Sequence, residues 1–126
     1  MNLNQQILSP TKNTPEVILE PKGIIKLRGR LIPENAENFF NPIGEWINDY
    51  FKNPADNTTV EICIEYINSA GTMYLLDIIH KITYIHLQKN TKKFIINWYY
   101  KDEDMLEKGI FFSSDLDVPF NYIKII

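Results

Sequence analysis

The sequence predicts an α/β fold, a single domain in which a mixed β-sheet opens with a hairpin and helices pack against it. Three observations lead there. Two short apolar runs meet at a Pro-Lys-Gly turn, a long β-rich run ends in Asn-Ser-Ala-Gly, and helix and strand periods alternate from there onward. Strands that alternate with helices need crossover connections, and crossovers between parallel strands are right-handed.

The elements follow in order. The segment up to Asn13 is polar, carries Pro10 and Thr11, and reads as a loosely attached arm over residues 1–13. Val17-Ile18-Leu19 and Ile24-Ile25-Lys26-Leu27 are short strands joined at Pro21-Lys22-Gly23 as a hairpin. Pro33 is placed to open a helix with Glu34 and Glu37 in its first turn, and Pro42 to restart it. Ile43, Trp46, Ile47, Tyr50 and Phe51 then recur at helical spacing as a core stripe, before a loop at Asn53–Asn57.

Thr58–Ile67 is the longest β-rich run. It should set Val60, Ile62, Ile64 and Tyr66 on one face, and Cys63 and Ile67 keep the other partly apolar, which predicts an interior strand. A strong helix runs from Ala70 to about Leu87, packing through Leu75, Ile78, Ile79, Ile82 and Ile85. Phe94–Tyr100 is the next strand, Glu103–Phe111 a short helix and Phe120–Ile126 a last strand.

Composition narrows the function classes. The 126 residues suit one domain, with 44% hydrophobic, 23% charged and 13% aromatic residues. A net charge of −3 does not favour nucleic acid, because Lys89, Lys92, Lys93 and Lys101 are followed directly by Asp102, Glu103 and Asp104. The lone Cys63 fits a reducing compartment, and neither a signal peptide nor a membrane-length apolar run is present, so a cytosolic protein is expected.

Candidate chemistry concentrates at Asn68–Thr72. In α/β sheets function gathers at the carboxyl ends of strands, where helix N-termini also point. Ser69 reads first as a helix N-cap, worth about 1 kcal/mol. The same place also suits a phosphoacceptor, exposed on a rigid scaffold beside the small Ala70 and Gly71. A phosphate there meets free N–H groups and the positive helix end, so it changes charge without unfolding the domain.

Other clusters have simpler readings. Asp102, Glu103 and Asp104 could form the Mg²⁺ site of a small acid-metal enzyme or receiver-like domain, but acids at a helix start account for them. His80 and His86 do not share a helix face well enough for a metal pair. Cys63 on an interior strand reads as an inert thiol. Trp98-Tyr99-Tyr100 alternates across a strand, so part of it is core, with Tyr99 expected exposed and available to a partner. Arg28 and Arg30 flank Gly29 on one solvated face. Neither a cofactor nor a metal is expected.

Four stretches carry a resemblance to a known family. They are Thr14-Pro15-Glu16; Gly29-Arg30-Leu31-Ile32-Pro33-Glu34-Asn35-Ala36 with Phe39-Phe40; Glu65-Tyr66-Ile67-Asn68-Ser69; and Asn97-Trp98-Tyr99-Tyr100 through Asp102-Glu103-Asp104-Met105-Leu106-Glu107. With Pro119-Phe120 they run in the family's order over nearly the whole chain. The chain resembles the SiaC family of bacterial regulatory phosphoproteins, whose fold is similar to that of anti-sigma-factor antagonists, the STAS domains.

The resemblance implies a STAS-like domain acting in a partner switch linked to cyclic-di-GMP and biofilm formation. A histidine-kinase-like serine/threonine kinase would phosphorylate it and a PP2C-type phosphatase would reverse this. The unphosphorylated form would bind and activate a diguanylate cyclase. The family's acceptor, the hydroxyl residue directly after the Asn of the turn, maps to Ser69, with Thr72 as second choice. Asn68, Ala70, Gly71, Thr72 and the more distant Tyr99 are the expected partner-binding residues. Relatives often carry further hydroxyls after the acceptor, where this chain has Ala70 and Gly71, and the acidic run after Tyr100 is shorter than in many.

Overall fold

Six strands form one sheet in strict sequence order: β1 (Gln6–Leu8), β2 (Glu16–Glu20), β3 (Ile24–Leu31), β4 (Asn57–Ile67), β5 (Lys93–Tyr100) and β6 (Asn121–Lys124). The computed structural model describes residues 3–89 and 93–126. Strands β1 to β3 pair antiparallel and β3 to β6 pair parallel. The parallel crossovers carry α1 (Ala36–Tyr50), α2 (Ser69–Lys89) and α3 (Glu103–Leu116). When parallel strands follow in order and each crossover is right-handed, every helix falls on the same face. The core agrees: Leu27, Ile62 and Trp98 from one sheet face join Ile43 of α1, Leu75 of α2 and Phe112 of α3 in one buried cluster. The result is a two-layer mixed sheet with its opening hairpin and three helices among the described residues.

Strand β4 is interior, between β3 and β5, as its apolar alternation predicts. Thr58, Val60, Ile62 and Ile64 are buried under the helices. The polar Thr58 is tolerated because its hydroxyl meets Tyr50 Oη at 2.7 Å, and Tyr50 Oη in turn accepts from the Ala55 N–H. Tyr66 departs from expectation. Gly29 pairs with Ile64 but Arg30 pairs with Tyr66, so Glu65 is an extra residue, a β-bulge. The bulge rotates Tyr66 out of the core face, leaving it 59% exposed with the Arg30 guanidinium 5.0 Å above its ring. The same bulge reverses the expected position of Ile67, which packs against the core opposite Leu31.

Several boundaries also differ. Helix α1 starts at Ala36 rather than Pro33, because Asn35 is the cap and its side chain accepts from the Asn38 N–H. It runs unbroken through Pro42, whose missing bond would have gone to the carbonyl of Asn38, an exposed residue that water can serve. The N-terminal segment contains β1, and the carbonyl of Asn4 accepts from Trp46 Nε1 at 2.9 Å. Helix α3 extends to Leu116, past the expected Phe111, and ends on Asp117 in the left-handed conformation. Strand β6 spans only Asn121–Lys124 of the expected Phe120–Ile126. Lys92, expected with Lys89 and Lys93 in a basic group, lies outside the described residues. No helix among the described residues is long and apolar enough to cross a membrane.

Candidate functional site

The carboxyl ends of β3, β4 and β5 lead directly into the starts of the three helices, and the predicted turn lies at the middle one. Asn68, not Ser69, caps α2. Its Oδ1 accepts from the Gly71 N–H at 2.7 Å, its carbonyl accepts from the Thr72 N–H and hydroxyl at 2.9 Å each, and its own N–H donates to the Leu31 carbonyl. Both residues are good caps by type, and tertiary fit decides between them. A Cβ on Gly71 would stand 2.5 Å from the Leu31 carbonyl oxygen, so the first turn can sit this close to β3 only with glycine at this position.

Ser69 is therefore the first helical residue, exposed, and its hydroxyl has no hydrogen-bond partner among the described residues. Its N–H and that of Ala70 open the helix without intrahelical acceptors. Thr72 is half-buried and its hydroxyl is held by the Asn68 carbonyl. The structure thus brings Asn68, Ser69, Ala70, Gly71 and Thr72 together and gives their hydroxyls different situations.

These roles predict separable stabilities. Asn68→Ala should cost about 1 kcal/mol, and Asn68→Asp should recover most of it, because aspartate caps as well. Gly71→Ala should cost about 1–3 kcal/mol, since a backbone carbonyl cannot move aside as a side-chain tip can. Urea unfolding midpoints check the order; a neutral Gly71→Ala would contradict the close contact.

Apolar side chains flank the turn. Met73, four residues beyond Ser69 on the same face of α2, is 64% exposed, and Phe111 of α3 is 56% exposed. A groove between the helices holds Thr72, Asp104, Glu107, Lys108, Phe111 and Phe112. Sequence reasoning missed Met73, although its spacing from Ser69 was available as a signal. Tyr99 is not part of this cluster. It lies on the uncovered face of the sheet opposite Cys63, its phenol pushed up by burial and by its hydrogen bond to Glu61. Burial also pushes the Cys63 thiol up, against the opposing pull of Arg28, Lys101 and Lys26.

The acidic run has a structural role. Asp102 caps α3, its side chain accepting from the Met105 N–H at 2.9 Å, and Glu103 and Asp104 occupy the first turn. Among the described residues no group of three or more His, Cys, Asp or Glu side chains could hold a metal ion. His80 is exposed, while His86 is half-buried against Phe94 and its burial lowers the imidazole pKa.

A one-sided mixed sheet with its helices on a single face defines a small two-layer α/β domain. The sequence profile of the SiaC family of regulatory phosphoproteins matches residues 8–125. The chain belongs to the SiaC family. It is similar in structure to a chain of the crystal structure of diguanylate cyclase SiaD in complex with its activator SiaC from Pseudomonas aeruginosa (TM-score 0.85, 19% identity, covering 95% of this chain and 99% of that one). It is also similar to SiaC of Pseudomonas aeruginosa (TM-score 0.81, 17% identity, 95% and 96% covered) and to apo-SiaC from the same organism (TM-score 0.75, 16% identity, 98% and 99% covered). No curated protein sequence matches the chain.

Proposed function

We propose that this chain is a phosphorylation-gated protein-interaction switch, without chemistry of its own, in which Ser69 is the phosphoacceptor. A histidine-kinase-like serine/threonine kinase and a PP2C-type phosphatase set its state, and the unphosphorylated form binds and activates a diguanylate cyclase. The observation that carries this reading is the Ser69 hydroxyl, exposed and unbonded on the first residue of α2. A kinase can reach it without unfolding anything. The resulting dianion would sit at the positive end of a long helix, beside the unmatched N–H groups of Ser69 and Ala70. Thr72 is the weaker acceptor, because its hydroxyl would first have to leave the Asn68 carbonyl.

Family membership supports the regulatory phosphoprotein character, and the SiaD–SiaC complex supports a cyclase as target. Asn68, Ala70, Gly71, Thr72 and Met73 form the proposed docking rim, into which a new charge of about −2 would intrude. A cytoplasmic setting fits a kinase and a cyclase that draw on nucleotide substrates. The test is direct: after incubation with such a kinase and ATP, peptide mapping by mass spectrometry should place one phosphate on Ser69, removable by the phosphatase. Phosphate on Thr72 alone would overturn the assignment.

A further inference from the structure

We infer that the uncovered face of the sheet is a second docking surface, and that its occupant is an acidic amphipathic helix of a partner protein. The strand register lays this face out in rows. Glu16, Arg28, Cys63, Tyr99 and Ile123 stand side by side from β2 to β6, and Ile18, Lys26, Glu61, Asn97 and Asn121 form the next row. On the β3–β6 half, a trough of about 510 Å³ has an apolar floor that includes Cys63, Tyr99 and Ile123 and is bordered by Lys26, Arg28 and Lys124.

Charge identifies the occupant. The ion pairs among the described residues are Lys22–Glu20 and Lys52–Asp49, so all three bordering cations lack a carboxylate partner. Glu61 is the one acidic side chain lining the trough, against Lys26, Arg28 and Lys124, so its side chains carry an excess of positive charge. Glu16 stands across from Arg28 in register without forming an ion pair. Carboxylates on the two flanks of an incoming helix would meet these cations, while its apolar ridge would cover Tyr99 and the isoleucines. The opposite face of the same sheet is already covered by helices, which establishes that its pleat and twist accept them.

Other occupants fit less well. A small molecule is held by walls on several sides, whereas this trough is open above one sheet face. A second copy packed face to face would press Lys26, Arg28 and Glu61 into an apolar sandwich at a high desolvation cost.

The single cysteine of the chain lies in this trough and reports its occupancy. The full-length protein is treated with N-ethylmaleimide while a helical Leu/Glu amphipathic peptide, its Leu/Lys counterpart or dodecanoate is added. The Leu/Glu peptide should slow Cys63 modification in a salt-sensitive way, and amide NMR shifts should fall on β3 to β6 of the open face. Lys26→Glu with Arg28→Glu should weaken that protection about tenfold. Lys124→Glu, at a strand edge, should weaken it too if the double variant does not fold. A Ser69→Asp change should leave it untouched, which separates this surface from the switch.

Several results would overturn the proposal: no protection by the Leu/Glu peptide, equal protection by the Leu/Lys peptide, or undiminished protection in both charge variants. Protection by dodecanoate alone would assign the trough to a small amphiphile. Concentration-dependent dimers that protect Cys63 without peptide would assign it to a second copy.

Discussion

Replacing Trp98 with alanine should cost about 4 kcal/mol, the largest stability loss expected of any single truncation in this chain. Trp98 is 1% exposed on β5 and has three kinds of support. Its Nε1 donates to the Met105 carbonyl at 2.9 Å, tying the sheet to the first turn of α3. Its ring packs against Phe112 and, stacked, against Phe120, so helix, strand and last crossover share one aromatic contact. A Cβ on Gly109 would lie 2.6 Å from the indole, so α3 has been brought as close as a backbone allows. Truncation therefore removes the apolar burial, opens a cavity under α3 and removes the indole hydrogen bond to the Met105 carbonyl. For a domain of ordinary stability this approaches half of the total. Trp98→Phe should keep most of the burial and lose chiefly the hydrogen bond, costing about 1–2 kcal/mol. Urea unfolding followed by circular dichroism measures both. A loss below about 1 kcal/mol for Trp98→Ala would mean that α3 is not anchored through this ring.

Such strongly patterned elements were legible without coordinates. The alternation Val60-Ile62-Ile64 and the stripe Leu75-Ile79-Ile82 report burial directly, because local periodicity and tertiary environment agree there. What stayed hidden depends on neighbours distant in sequence. The bulge that turns Tyr66 outward exists only where β4 meets β3, beside Gly29 and Arg30. Strand β1 is a three-residue run that acquires meaning only from its pairing with Val17–Leu19. The open face of the sheet follows from the sequential strand order, which the strand pairing shows, and Lys26, Arg28 and Glu61 lie on it in register. The candidate site was legible to within one residue. Asn68 and Ser69 both cap well, and the choice rests on how Gly71 fits beneath the Leu31 carbonyl, a contact with no local signature. Tyr99, expected exposed, is half-buried on the open face, and its distance in the fold from the turn has no local signature.

The correction at Asn68 sharpens what substitutions at Ser69 should do. Because the cap belongs to Asn68, Ser69→Ala removes no backbone partner and places the best helix former at the first helical position. Its stability should match or slightly exceed that of the natural sequence. Ser69→Asp puts a carboxylate in the first turn, where the helix dipole favours it by about 0.3–1 kcal/mol. Neither variant should unfold anything, so differences in partner binding can be read without correction for stability. Under the proposed switch, Ser69→Ala should bind and activate the diguanylate cyclase as the unphosphorylated protein does, and should be blind to the kinase. Ser69→Asp should bind about tenfold more weakly, because its charge intrudes on a rim flanked by the apolar Met73 and Phe111. The true phosphoprotein carries about twice that charge and should bind more weakly still. Calorimetric titration of the cyclase with the three forms measures the series directly. Cyclase binding that is equal in the alanine, aspartate and phosphorylated forms would remove Ser69 from the gate, whatever its phosphorylation state in cells.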